Sequence, residues 1–94
     1  MARMHHVLSY DITNDKRRRK LVKLMEEVAL RVQYSVFETS LSRKEVRLLV
    51  EQSLEFVRPS EGDSLRIYRI CKTCAEHFQQ IGGREVDWEK DFVF

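Results

Sequence analysis

Two amphipathic helical stripes, each preceded and followed by strand-like runs, set the tightest limit on how this chain can fold. Leu21, Leu24, Met25 and Val28 recur at i, i+3, i+4 and i+7, the spacing of one helix face. A second stripe holds Val46, Leu49, Val50 and Val57, behind the capping box Ser42-Arg43-Lys44-Glu45. Before the first stripe, His6–Ile12 alternates as a strand, with Thr13 or Asn14 placed to cap the helix. Between the stripes, residues 30–41 are rich in β-branched and aromatic side chains and read as one bent strand or two short ones. Arg58-Pro59 is expected to end the second helix, and Glu61-Gly62-Asp63 to turn the chain into a strand over Leu65–Cys71. The order is that of an α+β sandwich with two helices on one sheet face.

The chain has 94 residues, one proline, three glycines and no repeat or linker, so residues 1–94 are expected to form a single domain. Two helices cover only one face of such a sheet, yet apolar groups fall on both strand faces: Leu8 and Tyr10 against Val7, Val36 against Phe37. The uncovered face, and a tail ending Phe92-Val93-Phe94, call for a partner. A two-fold homodimer, with the tail adding a strand to the other subunit's sheet, is the economical expectation. No apolar run approaches a membrane span, so no membrane partner is expected. Two cysteines without a secretory signal point to a reducing compartment, the cytoplasm.

Net charge is only +2, but its distribution is uneven. Residues 1–47 carry 11 Lys/Arg against 6 Asp/Glu, and residues 48–94 carry 6 against 9. Nucleic acid is therefore expected to dock on the first half. There the first strand ends in Asp11, and the next helix opens with Lys16, Arg17, Arg18, Arg19 and Lys20. Bases at a helix N-terminus oppose the macrodipole, which hints at use. Arg17 and Lys20 fall three apart on one face, with Arg18 and Arg19 beside them. A carboxylate holds a divalent cation through oxygen, and bases hold backbone phosphates, which together suit phosphodiester chemistry. One aspartate is a poor metal site. Near a two-fold axis, however, Asp11 meets its own symmetry mate, and facing carboxylates favour a divalent cation between them. The plainer alternative is that Asp11 caps the helix.

Arg31, Gln33, Ser35 and Phe37 alternate onto one strand face, where polar donors with a terminal aromatic would grip a backbone and stack a base. Cys71-Lys72-Thr73-Cys74 is half a zinc motif with His77 three residues on; two small buried thiols are the expectation. His5 and His6 have no partner at catalytic spacing. Phosphate-binding glycine loops, Ser-His-Asp order and H-E-x-x-H are absent, which removes P-loop, hydrolase-triad and zincin chemistry. Nor is there the Gly-aromatic motif of an RNA-recognition module.

The junction Tyr10-Asp11-Ile12-Thr13-Asn14-Asp15, the octet Arg31-Val32-Gln33-Tyr34-Ser35-Val36-Phe37-Glu38 and the strand Asp63-Ser64-Leu65-Arg66-Ile67-Tyr68-Arg69-Ile70-Cys71 closely resemble the small CRISPR-associated adaptation nuclease. This is the nuclease-like partner of the integrase that inserts new spacers. The resemblance extends through the Cys-x-x-Cys segment to Gly82-Gly83 and covers essentially the whole chain. It implies a ferredoxin-like βαββαβ sandwich, with sheets packed face to face in a homodimer. It also implies an extra C-terminal strand exchanged or added across that dimer. Asp11 matches the family's catalytic and metal-binding position, for Mg²⁺ or Mn²⁺. Arg31, Phe37 and Arg18 (or its neighbour Arg17 or Arg19) match positions of nucleic-acid handling, with Tyr10, Gln33 and Ser35 in support. The implied activity is metal-dependent endonuclease action on single-stranded RNA or double-stranded DNA, beside the CRISPR integrase. The alternative is a non-catalytic DNA-binding adaptor that bridges integrase dimers, for which Glu85–Glu89 and the tail are candidate contacts. Related toxin ribonucleases share the fold, and the octet favours the adaptation family. The chain departs from the pattern where glycine often precedes the octet; here it reads Glu27-Val28-Ala29-Leu30.

Overall fold

A computed structural model describes residues 3–83 of the chain. Its elements run β1 (Met4–Asp11), α1 (Asp15–Glu26), β2 (Leu30–Gln33), β3 (Val36–Leu41), α2 (Arg43–Ser53), a 3₁₀ turn (Pro59–Glu61), β4 (Ser64–Ile70) and α3 (Lys72–Glu76). The four strands form one sheet in the order β2-β3-β1-β4, with every adjacent pair antiparallel. This is the expected ferredoxin-like α+β sandwich, with a short third helix added. The extra C-terminal strand, the acidic Glu85–Glu89 stretch and the aromatic tail lie outside the described residues.

Alternation along β1 and β3 sorts the side chains. Leu8 lies opposite both Phe37 and Ile67, and Tyr10 opposite Leu65. Leu8, Tyr10, Phe37 and Leu41 point into the core beneath Leu21 and Met25 of α1 and Leu49 of α2. Removing these groups from water at roughly 25 cal/mol per Å² is the main favourable term holding sheet to helices. The opposite sheet face carries Val7 and Ser9 with Val36, Glu38 and Tyr68 opposite them, and Tyr68 is exposed.

Both helix starts follow from the sequence. The Asn14 side chain accepts the Arg17 N–H at 3.0 Å, so Asn14, rather than Thr13 or Asp11, caps α1. Ser42 and Glu45 close the capping box in both directions, at 2.9 and 3.2 Å. The missing glycine before the octet is accommodated because Glu27 ends α1 in a right-handed conformation, φ −71°. No position there requires the left-handed backbone that favours glycine.

Several expectations are corrected. Of the two readings of residues 30–41, the two short strands form, joined by a turn at Tyr34-Ser35 and with a register shift between Arg31 and Gln33; what is corrected is the shared face. Arg31, Gln33, Ser35 and Phe37 therefore do not share one strand face. A slip of one residue reverses every side chain, and this shift does so inside the octet. The second helix stops at Ser53, well before Pro59. Leu54 N–H is shared between the Val50 and Glu51 carbonyls and Phe56 N–H returns to Ser53, so the last turn tightens. Val57 reaches the core from the following loop. Pro59 instead opens the 3₁₀ turn, which ends at Gly62 with φ 83°. Cys71 and Cys74 are both exposed rather than buried.

Candidate nucleic-acid site at the end of the first strand

Asp11 is the last residue of β1, opposite Ser64 at the start of β4. The strand stops there because Ile12 turns into the core and Asn14 begins α1. The Asp11 side chain is left exposed at the rim of an open cleft of about 560 Å³. Tyr10, Ile12, Thr13, Arg18, Tyr34 and Ser35 complete its lining.

Arg18 is fixed in place from three sides. Its Nη1 donates to the carbonyls of Ile12 and Thr13, both at 3.3 Å, and its Nη2 pairs with the Asp15 carboxylate. That carboxylate raises the affinity of Arg18 for its proton. A permanently charged fork thus sits in the same cleft as Asp11, which suits phosphate binding. Arg18 also belongs to an adjoining cleft of about 320 Å³, lined further by Arg19, Arg31, Tyr10 and Tyr34.

A relay of contacts shapes this second cleft. Arg31 Nη2 donates to the Tyr10 hydroxyl at 3.3 Å, and that hydroxyl donates to the Tyr34 carbonyl at 3.2 Å. The Arg31 guanidinium carbon lies 5.5 Å from the ring centroids of both Tyr34 and Phe37, within cation–π range. The outer of these rings, Tyr34, is 72% exposed.

The fold thus brings Asp11, Tyr10, Arg18 and Ser35 to one cleft, and Arg19 and Arg31 to its neighbour. Lys16 and Lys20 are exposed on α1 and line neither. Gln33 is exposed on a different surface, beside Val32, Val36 and Phe78. Two expected contacts are corrected. Phe37 is wholly buried in the core, so it has no open face on which a base could stack. Arg17 turns inward and pairs with the Asp63 carboxylate at 2.7 Å, with Glu61 at 3.6 Å. Arg17 and the Arg58 backbone N–H together hold the Asp63 carboxyl well below the usual carboxylate range. Arg17 is therefore a structural base. Tyr34 lines both clefts although the sequence did not single it out; its signal is an aromatic at the centre of the polar octet, which a strand face drawn through the turn obscures.

Among the described residues, no group of three or more His, Cys, Asp or Glu could hold a metal ion. The donors near Asp11 are all oxygens: its carboxylate, the Thr13 and Ser35 hydroxyls and neighbouring carbonyls. Such a set fits a hard cation like Mg²⁺, which keeps several waters and takes only one or two carboxylates from protein.

Comparison with known proteins agrees with this architecture. The sequence model described as CRISPR associated protein Cas2 matches residues 4–78. A CRISPR-associated endoribonuclease Cas2 of Chloroflexus aurantiacus is 43% identical over 79 residues, covering 84% of this chain and 85% of the relative. The solved structure of Streptococcus pyogenes Cas2 matches with a TM-score of 0.72 at 27% identity, over 84% of this chain and 100% of that one. A chain of a partial Cas6-RT-Cas1–Cas2 complex matches with a TM-score of 0.71 at 31% identity, over 83% of this chain and 90% of that one.

Proposed function

The chain belongs to the CRISPR-associated Cas2 family, and from that membership we propose that it is a metal-dependent endoribonuclease taking part in spacer acquisition beside the CRISPR integrase. The observation that carries this reading is the shared cleft of Asp11 and Arg18 at the end of β1. The curated relative's name adds support for the activity, and the Cas1–Cas2 complex for the partner. The working unit is a homodimer, supported by the sheet face opposite α1 and α2, on which Tyr68 of the edge strand β4 is exposed. Its compartment is the cytoplasm, supported by two free thiols.

In this reading Arg18 grips a phosphodiester from a position fixed by the Ile12 and Thr13 carbonyls, so little side-chain entropy is lost on binding. Arg19 and Arg31 bind the neighbouring phosphates, and Tyr34 receives an unstacked base on its exposed ring. Tyr10 keeps the Tyr34 turn in register through its hydroxyl. Asp11, with its counterpart in the second subunit, would hold Mg²⁺ or Mn²⁺. When bound, such an ion supplies Lewis-acid charge stabilisation and a more acidic water. Asp11 supplies one carboxylate to that site, and the two-fold pairing would bring the second that a single chain lacks.

A second reading is supported by the scarcity of ligands: one carboxylate lines the cleft in each chain, and there is no metal-binding cluster among the described residues. It is a non-catalytic dimeric adaptor that binds double-stranded DNA and bridges integrase dimers. Cleavage of labelled single-stranded RNA and double-stranded DNA by the folded dimer and its Asp11→Ala variant, with Mg²⁺ and with EDTA, separates the two. The enzyme reading expects Mg²⁺-dependent cleavage that falls about 100-fold or more in the variant. No cleavage, or equal cleavage by both proteins, leaves the adaptor.

A further inference from the structure

Cysteine is among the most buried residue types, yet Cys71 and Cys74 are both exposed, and neither belongs to the core. Their placement is specific. β4 ends at Ile70, Cys71 is the N-cap of α3, and Cys74 is the third residue of that helix. The strand thus runs straight into the Cys-x-x-Cys turn, as the sequence indicates. The Cys71 sulfur accepts the Cys74 backbone N–H at 3.4 Å, so the Cys71 side chain turns toward the first turn of α3, which carries Cys74. Residues three apart on a helical turn have Cβ atoms roughly 5–6 Å apart, and a disulfide needs roughly 3.5–4.5 Å, so closure calls for a shift of about 1–2 Å at the N-cap of this short helix.

Zinc is a poorer occupant. His77, the only further nitrogen or sulfur ligand nearby in sequence, has its Nδ1 at 2.7 Å from the Thr73 carbonyl oxygen. No set of three ligands exists among the described residues.

We propose that Cys71 and Cys74 form a dithiol–disulfide site that exchanges with small-molecule disulfides of the glutathione type. The Cys71 thiolate attacks one sulfur of the external disulfide, whose S–S bond breaks and releases one thiolate, leaving a mixed disulfide on Cys71. The Cys74 thiolate then attacks the Cys71 sulfur, forming the Cys71–Cys74 bond and releasing the second external thiolate. The two protons lost by the cysteines end on the two released thiols. The pair is oxidised by two electrons and the external disulfide is reduced by two. The order of attack has independent support. Hydrogen bonds from Cys74, first among them its backbone N–H, lower the Cys71 thiol, and the neighbouring Cys71 sulfur raises that of Cys74.

The test equilibrates the full chain in buffers of graded oxidised-to-reduced glutathione, traps free thiols by alkylation and reads the intact mass. The expected product is a monomer-mass species lighter by two hydrogens that takes up no alkyl group, in a fraction independent of protein concentration. Cys71→Ser and Cys74→Ser, changed at exposed positions, should stop at a glutathione adduct. In the reduced protein, Cys71 should alkylate about tenfold faster than Cys74 at neutral pH. A wild type that stays a dithiol in oxidised glutathione, that accumulates only glutathione adducts, or that forms only disulfides between chains overturns the proposal. Because the readout is mass rather than cleavage, it stands or falls separately from the nuclease reading.

Discussion

Lys16 to Lys20 are five consecutive bases, but α1 rotates each successive side chain by about 100°, and neighbours acquire unrelated surroundings. Arg17 is sent under the sheet edge to Asp63, while Arg18 is sent to the cleft with Asp11. Breaking a buried pair strands the remaining charge, so Arg17→Met should lower Tm by about 10 °C or more. Its effect on nucleic-acid affinity at a temperature where it is folded should be small. Arg18→Met should do the reverse: a nearly unchanged Tm, weaker binding, and a shallower dependence of log affinity on log salt. Thermal melts beside binding titrations at several salt concentrations check both. Tyr34 supplies a third contrast. Its exposed ring contributes little to the core, so Tyr34→Ala should change stability by no more than about 0.5 kcal/mol. The same change should weaken single-stranded RNA binding about tenfold or more, whereas Tyr34→Phe should keep it. Equal affinity of all three proteins would remove Tyr34 as a stacking platform.

At the scale of the element, the Tyr34-Ser35 turn decides most about the site. It divides the octet between β2 and β3, buries Phe37 and lifts Tyr34 into solvent. It also leaves Arg31 between the two rings. The helix that follows depends on its first turn, where Ser42 and Glu45 satisfy one another's backbone donors. Ser42→Ala removes half of that box and should cost about 1 kcal/mol in urea-unfolding free energy. Loss of activity should not accompany it beyond what unfolding explains, because α2 lines neither cleft of the site.

At the scale of the molecule, the sheet face opposite α1 and α2 carries an unusual polar pair. His5 Nε2 lies 3.2 Å from Glu38 Oε1. Burial, followed by the nearby His6, lowers the His5 pKa to about 4, and burial raises that of Glu38. The unfolded chain binds the His5 proton below about 6.5, whereas the folded one does so only near 4. Stability from this group is therefore complete above pH 6.5 and is lost as pH falls from 6.5 to 4. His6, Glu45 and Asp63, all lowered, act in the same direction. Glu38 opposes them, since its folded form takes up a proton more readily. The net expectation is a loss of stability between pH 7 and pH 4.5, carried mainly by His5 and His6, and read from urea midpoints. His5→Gln should flatten that dependence.

The sequence by itself determined which elements form and in what order, because periodicity, caps and turn residues act over a few positions. The two helix stripes, the Asn14 and Ser42 caps and the strand ending at Asp11 were all legible, and with them the α+β sandwich. So was the nearness of Asp11 and Arg18, which line one cleft, since both residues lie within two turns of one junction. Only the tertiary structure decided which side each residue faces. Phe37 went to the core and Tyr34 to solvent through a single change of register. Arg17 was claimed by Asp63, 46 positions away, and Cys71 and Cys74 were exposed by a strand end that leads directly into a helical turn. Long-range pairing leaves no local mark, because either partner alone reads as an ordinary surface charge.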